Sequence, residues 1–218
     1  MNIIVLVKQV PNTTEMKVDS ETGTLIRDGV ASIINPDDLA SVECALQIKD
    51  KIKDTHIRVI SMGPNQAKDM LVDLYGMGVD DCVLISDRAF AGSDTWATSY
   101  TLSTAIKQYP FDLILAGRQA IDGDTAQVGP QIATRLDIPQ ITYVSSIEEI
   151  TQQTITVLKS YEDFIEKQKC ALPCLLTTLA DAIEVRKGNI TDTWTSLDKK
   201  ITVLTNQELY CDVDHIGL

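Results

Sequence analysis

The chain is short of positive charge. Nineteen Lys and Arg residues stand against 31 Asp and Glu, a formal net charge of −12. This argues against nucleic-acid binding, where Lys and Arg at the phosphates supply most of the affinity, and against docking on an anionic membrane. The ordinary consequence of such a charge is solubility. No uninterrupted apolar run reaches the roughly 20 residues needed to span a bilayer, and the N-terminal stretch reads as a charge-flanked strand instead of a signal peptide. No membrane insertion and a cytoplasmic location are therefore expected. Histidine is scarce (His56 and His215), and no nucleophile–base motif accompanies either one, so acid–base or nucleophilic catalysis by this chain is not expected. The five cysteines are odd in number and scattered, which fits reduced thiols better than a disulfide framework. Cys170 and Cys174 form the one close pair. Their apolar neighbours Ala171 and Leu172 point to packing, and no thiolate quartet or nearby histidine completes a metal site. Internal repeats and low-complexity tracts are absent.

What is present is alternation. Short apolar runs at Ile3 to Val7, Ile57 to Ile60, Cys82 to Ile85 and Leu113 to Ala116 are separated by stretches of helical periodicity, the pattern of a parallel sheet with crossover helices. The expected fold class is α/β, an open and mainly parallel sheet with helices on both faces. Asn35-Pro36-Asp37-Asp38 signals the first helix: a cap, an early proline and acidic residues at the positive end, followed by Leu39, Val42, Ala45, Leu46 and Lys49. A second helix is expected from about Gln66 to Tyr75 with a left-handed cap at Gly76, and a third from about Asp94 to Lys107 with Asp94 as cap. Residues 12 to 33 read as a loop or hairpin excursion. After Pro139 the pattern changes: Thr154 to Leu158 alternates like an edge strand, and Leu172 to Thr177 returns to an apolar strand. The division expected is an α/β domain over 1–183 and a docking loop with a C-terminal arm over 184–218. Such an arm either needs a partner to be ordered or is a flexible terminus.

The most informative stretch runs from Leu115 to Pro130, because it joins a buried strand to a helix through a polar, glycine-containing loop. In an open α/β sheet, a nucleotide usually sits at such a place. Gly117 and Gly123 are read as letting the backbone turn and approach a ligand. Asp124 and Thr125 are read as caps for a helix carrying Val128, Ile132, Ala133 and Leu136 on its buried stripe. A helix start offers N–H groups and a positive dipole end to a phosphate. Asp122 and Asp124 would repel that phosphate, and Arg118 is the one local positive charge. Backbone donors must then do the binding, with the carboxylates turned to caps, ribose hydroxyls or solvent; in the plainer alternative both aspartates merely cap turns and helix ends. The loop is neither a Walker motif nor a dinucleotide fingerprint.

The stretch from Gly117 to Pro130 closely resembles the nucleotide-binding loop of electron transfer flavoprotein beta subunits, in the form typical of the Fix-type and electron-bifurcating branch. The resemblance extends over nearly the whole chain. It includes Val5-Leu6-Val7-Lys8-Gln9-Val10-Pro11, the Ile34 to Asp38 segment with Glu43 and Ala45 in the helix behind it, the Ser61-Met62-Gly63-Pro64 turn and the Gly76-Met77-Gly78-Val79-Asp80 turn.

That resemblance implies an adenine nucleotide above the carboxyl ends of the strands. Leu6 and Met62 would flank the adenine, while Asn35, Pro36, Asp37 and Asp38 supply contacts together with Gly117, Arg118, Gln119, Ala120, Ile121, Asp122, Gly123, Asp124, Thr125, Ala126, Gln127 and Val128. Gln119, Thr125 and Gln127 are the neutral hydrogen-bonding side chains expected to matter most. The nucleotide implied is AMP, or FAD where the subunit carries a second flavin as in the bifurcating relatives; the loop's form leans to FAD. The partners implied are an electron transfer flavoprotein alpha subunit and a flavin dehydrogenase such as an acyl-CoA dehydrogenase. The family's docking loop commonly carries Pro-Arg-Tyr and a Lys-rich stretch; here Val185-Arg186-Lys187 keeps the arginine, and Ile190 falls where an apolar anchor sits, filling a partner pocket or packing locally. The chain also stops earlier than its relatives, so much of the arm that grips the alpha subunit is expected to be missing. A nucleotide-binding regulatory or sensor module without electron transfer is the alternative. An enzyme of the related adenine-nucleotide fold ranks last, lacking a recognisable phosphate-activating lysine or metal set.

Overall fold

The computed structural model of the chain describes residues 1–12, 17–18, 25–26, 31–196 and 198–217. Its strands are β1 (Asn2–Val7), β2 (Gln9–Pro11), β3 (Lys17–Val18), β4 (Leu25–Ile26), β5 (Ser32–Ile34), β6 (His56–Met62), β7 (Asp81–Ile85), β8 (Leu113–Gly117), β9 (Gln140–Ile150), β10 (Thr154–Ser160), β11 (Ile165–Ala171), β12 (Cys174–Thr178) and β13 (Thr202–Leu204). Its helices are α1 (Pro36–Lys51), α2 (Ala67–Met77), α3 (Thr95–Ile106), α4 (Val128–Leu136), α5 (Ile190–Ser196) and α6 (Asn206–Leu209).

Nine strands form one sheet in the order β11-β10-β9-β12-β8-β1-β6-β7-β13. Every pairing from β9 to β13 is parallel, and β10 and β11 add an antiparallel wing. The period-two geometry of a strand explains why the central runs are apolar on both faces, with Arg58 and Ser61 of β6 as exceptions. Ile3, Val5 and Val7 of β1 enter the core beneath α1 and α2, whereas Ile4 and Leu6 enter the core beneath α3 and α4. Leu113 and Leu115 of β8 divide from Ile114 and Ala116 in the same way. All of these side chains are buried, so each central strand seals two cores at once. The expected mainly parallel sheet with helices on both faces is the fold observed.

Several local expectations change. Thr154 to Leu158 lies in β10, which pairs on both sides; the edge is β11, where most residues are exposed. The second helix runs through Gly76 to Met77, and Gly78 is its left-handed cap at φ 109°. Gly76 is required for a different reason. A Cβ there would lie 2.6 Å from Thr193 Oγ1, and Asn189 N–H donates to the Gly76 carbonyl (3.2 Å). α5 therefore packs on α2 at the one point where α2 has no side chain. Asp94 caps α3 as expected, accepting from Ala97 N–H at 2.8 Å.

Residues 12 to 33 fall largely outside the described residues; within them β3 pairs with β4 antiparallel, and β5, at their end, pairs antiparallel with β2, which precedes them. Within the segment from 184 onward, expected as a docking loop and arm, Thr202–Leu204 joins the sheet as β13, pairing in parallel with β7, and Leu204, Leu209, Cys211 and Ile216 are buried against α3 and its neighbours. All five cysteines are free thiols, and burial pushes those of Cys44 and Cys82 up to about 12. No helix among the described residues is long and apolar enough to cross a membrane.

Candidate ligand site at the carboxyl ends of the strands

Because β1, β6, β7 and β8 run parallel, their carboxyl ends share one rim, and the connections that leave them enclose a cavity of 820 Å³. Leu6, Ile60, Met62 and Ile85 form its apolar floor, and residues 116–120 and 123–129 form one wall. The opposite wall is the connection from β7 to α3, including Ser86, Asp87, Arg88, Ser93, Asp94 and Thr95. A second hollow, 490 Å³, lies between the middle of α1, β9 and residues 182–186, away from these strand ends.

The loop between β8 and α4 departs from its expected geometry. Neither Gly117 nor Gly123 has a positive φ; the left-handed residues are Asp124 (φ 49°) and Ala126 (φ 52°). Gly117 matters through close approach, since a Cβ on it would collide with Asp38 Oδ1 and stand 2.8 Å from the Asp37 backbone carbon. α4 begins at Val128 with Gln127 as N-cap and no side-chain cap, so Asp124 and Thr125 do not cap it. Asp124 instead accepts from Gln119 Nε2 (2.6 Å), and Gln127 Oε1 accepts from Thr95 Oγ1 (2.8 Å), which links the starts of α3 and α4 across the cavity mouth. Thr125 is exposed beside the cavity. α3 has its own carboxylate cap whereas α4 has none, so the first N–H groups of α4 are the ones left for an anion.

Behind the loop stands the first turn of α1. Asn35, fully buried, provides no side-chain cap; its Nδ2 donates to the Gln119 carbonyl (2.8 Å), and Ile121 N–H donates to its Oδ1 (3.1 Å). Asp38 accepts from Lys8 N–H (2.8 Å) and Gly117 N–H (3.0 Å), joining the ends of β1 and β8. Asp37 Oδ1 accepts from Ala180 N–H (2.8 Å). Asp37 Oδ2 lies 3.3 Å from Arg118 Nε, a charge contact in which neither atom completes a hydrogen bond. Burial pushes the Asp38 carboxyl up to about 7; hydrogen bonds from Asn35, Lys8 and Gly117 oppose that shift, and the neighbouring Asp37 adds to it.

Of the residues expected at the site, Leu6, Asp38, Met62, Gly117, Arg118, Gln119, Ala120, Gly123, Asp124, Thr125, Ala126, Gln127 and Val128 line the cavity. Asn35, Pro36, Asp37, Ile121 and Asp122 do not line it. Arg118 is not the one local cation. Lys8 Nζ reaches both oxygens of Asp122 at 2.8 Å, neutralising one of the carboxylates that would repel a phosphate, and Arg88 lines the far wall. Sequence reasoning missed Lys8, Arg88 and the rest of the 86–95 wall. The signal available was topological: parallel strands bring all their carboxyl ends to one rim.

The docking residues are placed differently from each other. Arg186 is held by α1, its Nε and Nη2 donating to Glu43 (2.9 and 3.0 Å) and Nη2 to Asp50 (2.7 Å). These carboxylates raise its pKa above the usual arginine value. Ile190 and Trp194, one turn apart on α5, are exposed at 88% and 75%. Among the described residues no group of three or more His, Cys, Asp or Glu side chains is placed to hold a metal ion.

The fold is that of an open α/β protein with a cavity at the carboxyl ends of its parallel strands. The family model for the electron transfer flavoprotein domain matches residues 22–204. The chain is 47% identical to the electron transfer flavoprotein subunit beta of Clostridium acetobutylicum, the match covering the whole chain and 83% of that protein. Identity is also 47% with the caffeyl-CoA reductase-Etf complex subunit CarD of Acetobacterium woodii (whole chain, 83% of that protein) and 43% with protein FixA of Azotobacter vinelandii (whole chain, 80%). The chain belongs to the electron transfer flavoprotein family, among its beta subunits.

Proposed function

We propose that this chain is the beta subunit of a heterodimeric electron transfer flavoprotein and holds an adenine nucleotide, FAD or AMP, in the 820 Å³ cavity. The observation that carries the reading is the junction of that cavity with an α4 start free of any side-chain cap. Its volume lies within the ~300–1,000 Å³ typical of small-molecule sites. Leu6 and Met62 give the adenine an apolar bed, and loop N–H groups, the start of α4 and Arg118 face the phosphates. The chain fits the group because its own carboxylates are already engaged: Asp122 by Lys8, Asp124 by Gln119 and Asp38 by backbone N–H groups.

A bound flavin supplies the electron-accepting chemistry; the chain's residues position it and set its surroundings. In this reading the partner is an alpha subunit, electrons come from a flavin dehydrogenase such as an acyl-CoA dehydrogenase, and the protein works in the cytoplasm. The form of residues 122–130 leans to FAD. Exposed Ile190, carried with Trp194 on α5, is the apolar anchor offered to the dehydrogenase; Arg186 steadies the segment that bears it.

The test is to co-express the chain with the alpha-subunit candidate encoded beside it, purify the complex and count FAD and AMP per heterodimer after denaturation. Two FAD support a second flavin in this subunit, and one FAD with one AMP supports a simple carrier. Absence of any complex, with AMP still bound to this chain, replaces the electron carrier with a nucleotide sensor.

A further inference from the structure

Asn35 occupies the N-cap position of α1, where asparagine ordinarily turns its side chain back to the helix N–H groups. Here the helix forgoes that bond. The amide passes over the helix N–H groups and pairs with the loop between β8 and α4 as a peptide group would, donating to the Gln119 carbonyl at 2.8 Å and accepting from Ile121 N–H at 3.1 Å, while it also hydrogen-bonds the Asp38 carboxyl. The backbone of Asn35 is itself fixed, its N–H donating to the Lys8 carbonyl (2.9 Å) and its carbonyl accepting from Leu39 N–H (3.0 Å). The side chain is fully buried and does not line the cavity.

We infer that Asn35 is a positioning residue of the ligand site: it holds residues 119–121 in the shape that accepts the ligand and does not touch the ligand. This rests on the reading of the cavity as an adenine-nucleotide site. The loop lacks regular structure from Arg118 to Gln127 and contains two left-handed residues, Asp124 and Ala126, so its shape has to come from outside it. A loop that must be ordered by its ligand binds more weakly by the fraction of time it spends in the competent shape.

The residue type follows from the geometry. Both a donor and an acceptor are needed at one short reach: aspartate lacks the donor, alanine lacks both, and glutamine is longer by a methylene in a position with no free space around it. The next residues extend the same grip, Asp37 beside Arg118 and Asp38 on Gly117 N–H. Asp38 also faces the cavity, so Asn35 is the member that separates positioning from contact.

The experiment uses the full chain, in its heterodimer if the partner is required, as wild type, Asn35→Ala, Asn35→Asp and Asn35→Ser. AMP and FAD are titrated by calorimetry, and amide hydrogen exchange of loop peptides is followed without nucleotide. Asn35→Ala is expected to weaken binding 10- to 100-fold and to speed exchange across 118–127 at least tenfold, with exchange in β1 and β8 unchanged. Asn35→Asp keeps the acceptor for Ile121 but sets a buried carboxylate against the Gln119 carbonyl and beside Asp38, so it is expected to bind at least as weakly as the alanine variant; Asn35→Ser, smaller and uncharged, decides the matter by the same two readouts if neither folds. Binding within twofold of wild type, or loop exchange unchanged, overturns the assignment. If the wild type binds neither AMP nor FAD, the adenine reading fails, and the exchange of the Ile121 amide still decides whether Asn35 positions the loop.

Discussion

Arg186 forms a two-pronged ion pair with Glu43, a carboxylate on α1 that is only 3% exposed. The Arg186 N–H donates to the same carboxylate at 3.1 Å, so one buried side chain holds both the backbone and the guanidinium of the segment leading to α5. Breaking a buried pair is costly because the surviving charge is left without a partner. Arg186→Ala is therefore expected to lower unfolding free energy by about 2–3 kcal/mol, below the roughly 3–5 kcal/mol of fully buried pairs because the arginine is one-third exposed. Adding Glu43→Gln should recover part of that loss by removing the stranded charge. Urea unfolding of both variants checks this; a single variant within about 0.5 kcal/mol of wild type, the range of ordinary surface changes, would refute the buried clamp.

Gly117 and Gly123 both belong to the cavity wall, yet they should respond oppositely to alanine. At Gly117 the new Cβ meets Asp38 and the backbone of Asp37, which cannot move without pulling α1 from β8. Gly117→Ala is expected to destabilise the fold by about 2 kcal/mol or more, in the class of overpacked positions. At Gly123 nothing lies within 4 Å and φ is not positive, so alanine should be neutral or stabilise by up to about 1 kcal/mol through the unfolded chain. Equal effects of the two substitutions in urea melts would contradict this assignment.

Burial of Asp38 is expected to make the chain less stable as pH rises. Its folded pKa, about 7, lies above the unfolded value of 3.8 because burial disfavours the carboxylate. The folded state thus binds the proton more tightly. The stability contributed by that proton is complete below about pH 4, is lost as pH climbs to about 7, and does not change further above it. Measured at pH 5, 6 and 7, the unfolding free energy of wild type should fall relative to Asp38→Asn by up to about 1.4 kcal/mol per pH unit. A difference that stays flat across that range would show that Asp38 is ionised throughout.

Legibility in the sequence followed the physics of burial. The strands sealed on both faces, β1, β6, β7 and β8, are visible as apolar runs because nearly every residue between their ends has to be apolar, Arg58 and Ser61 of β6 being the exceptions. β9 alternates irregularly between buried and exposed positions, so its 11 residues carry no clean period. Gly76 and Gly78 sit two residues apart and look alike in sequence. One ends the helix at positive φ and the other admits Thr193, a distinction that depends on a segment more than 100 residues later. The wall formed by 116–129 was legible by composition, since polar residues and glycines follow a buried strand. Lys8 was not, because its role is set by Asp122 across the rim. Asn35 looked like a helix cap, and only the tertiary placement of Ile121 shows where its amide goes.

The C-terminal segment provides the sharpest contrast between a detachable arm and a part of the fold. β13 contributes just Thr202, Val203 and Leu204, too few apolar residues to stand out, but it pairs with Val83, Leu84 and Ile85 of β7. With it come Leu204, Leu209, Cys211 and Ile216, buried against Phe90, Leu102 and Ile106. Each large apolar side chain returned to water costs about 1.5–3 kcal/mol, so losing the set consumes much of the 5–15 kcal/mol that keeps a typical domain folded. It also bares the β7 edge, an invitation to aggregation. A chain stopped after Lys200 is expected to be insoluble or to lack a cooperative unfolding transition, and Leu204→Ala in the full chain to lose about 2–3 kcal/mol. If the truncated chain melted cooperatively at the wild-type midpoint, residues 201–217 would be an appendage after all, and the sheet would have to be stable with β7 as its edge.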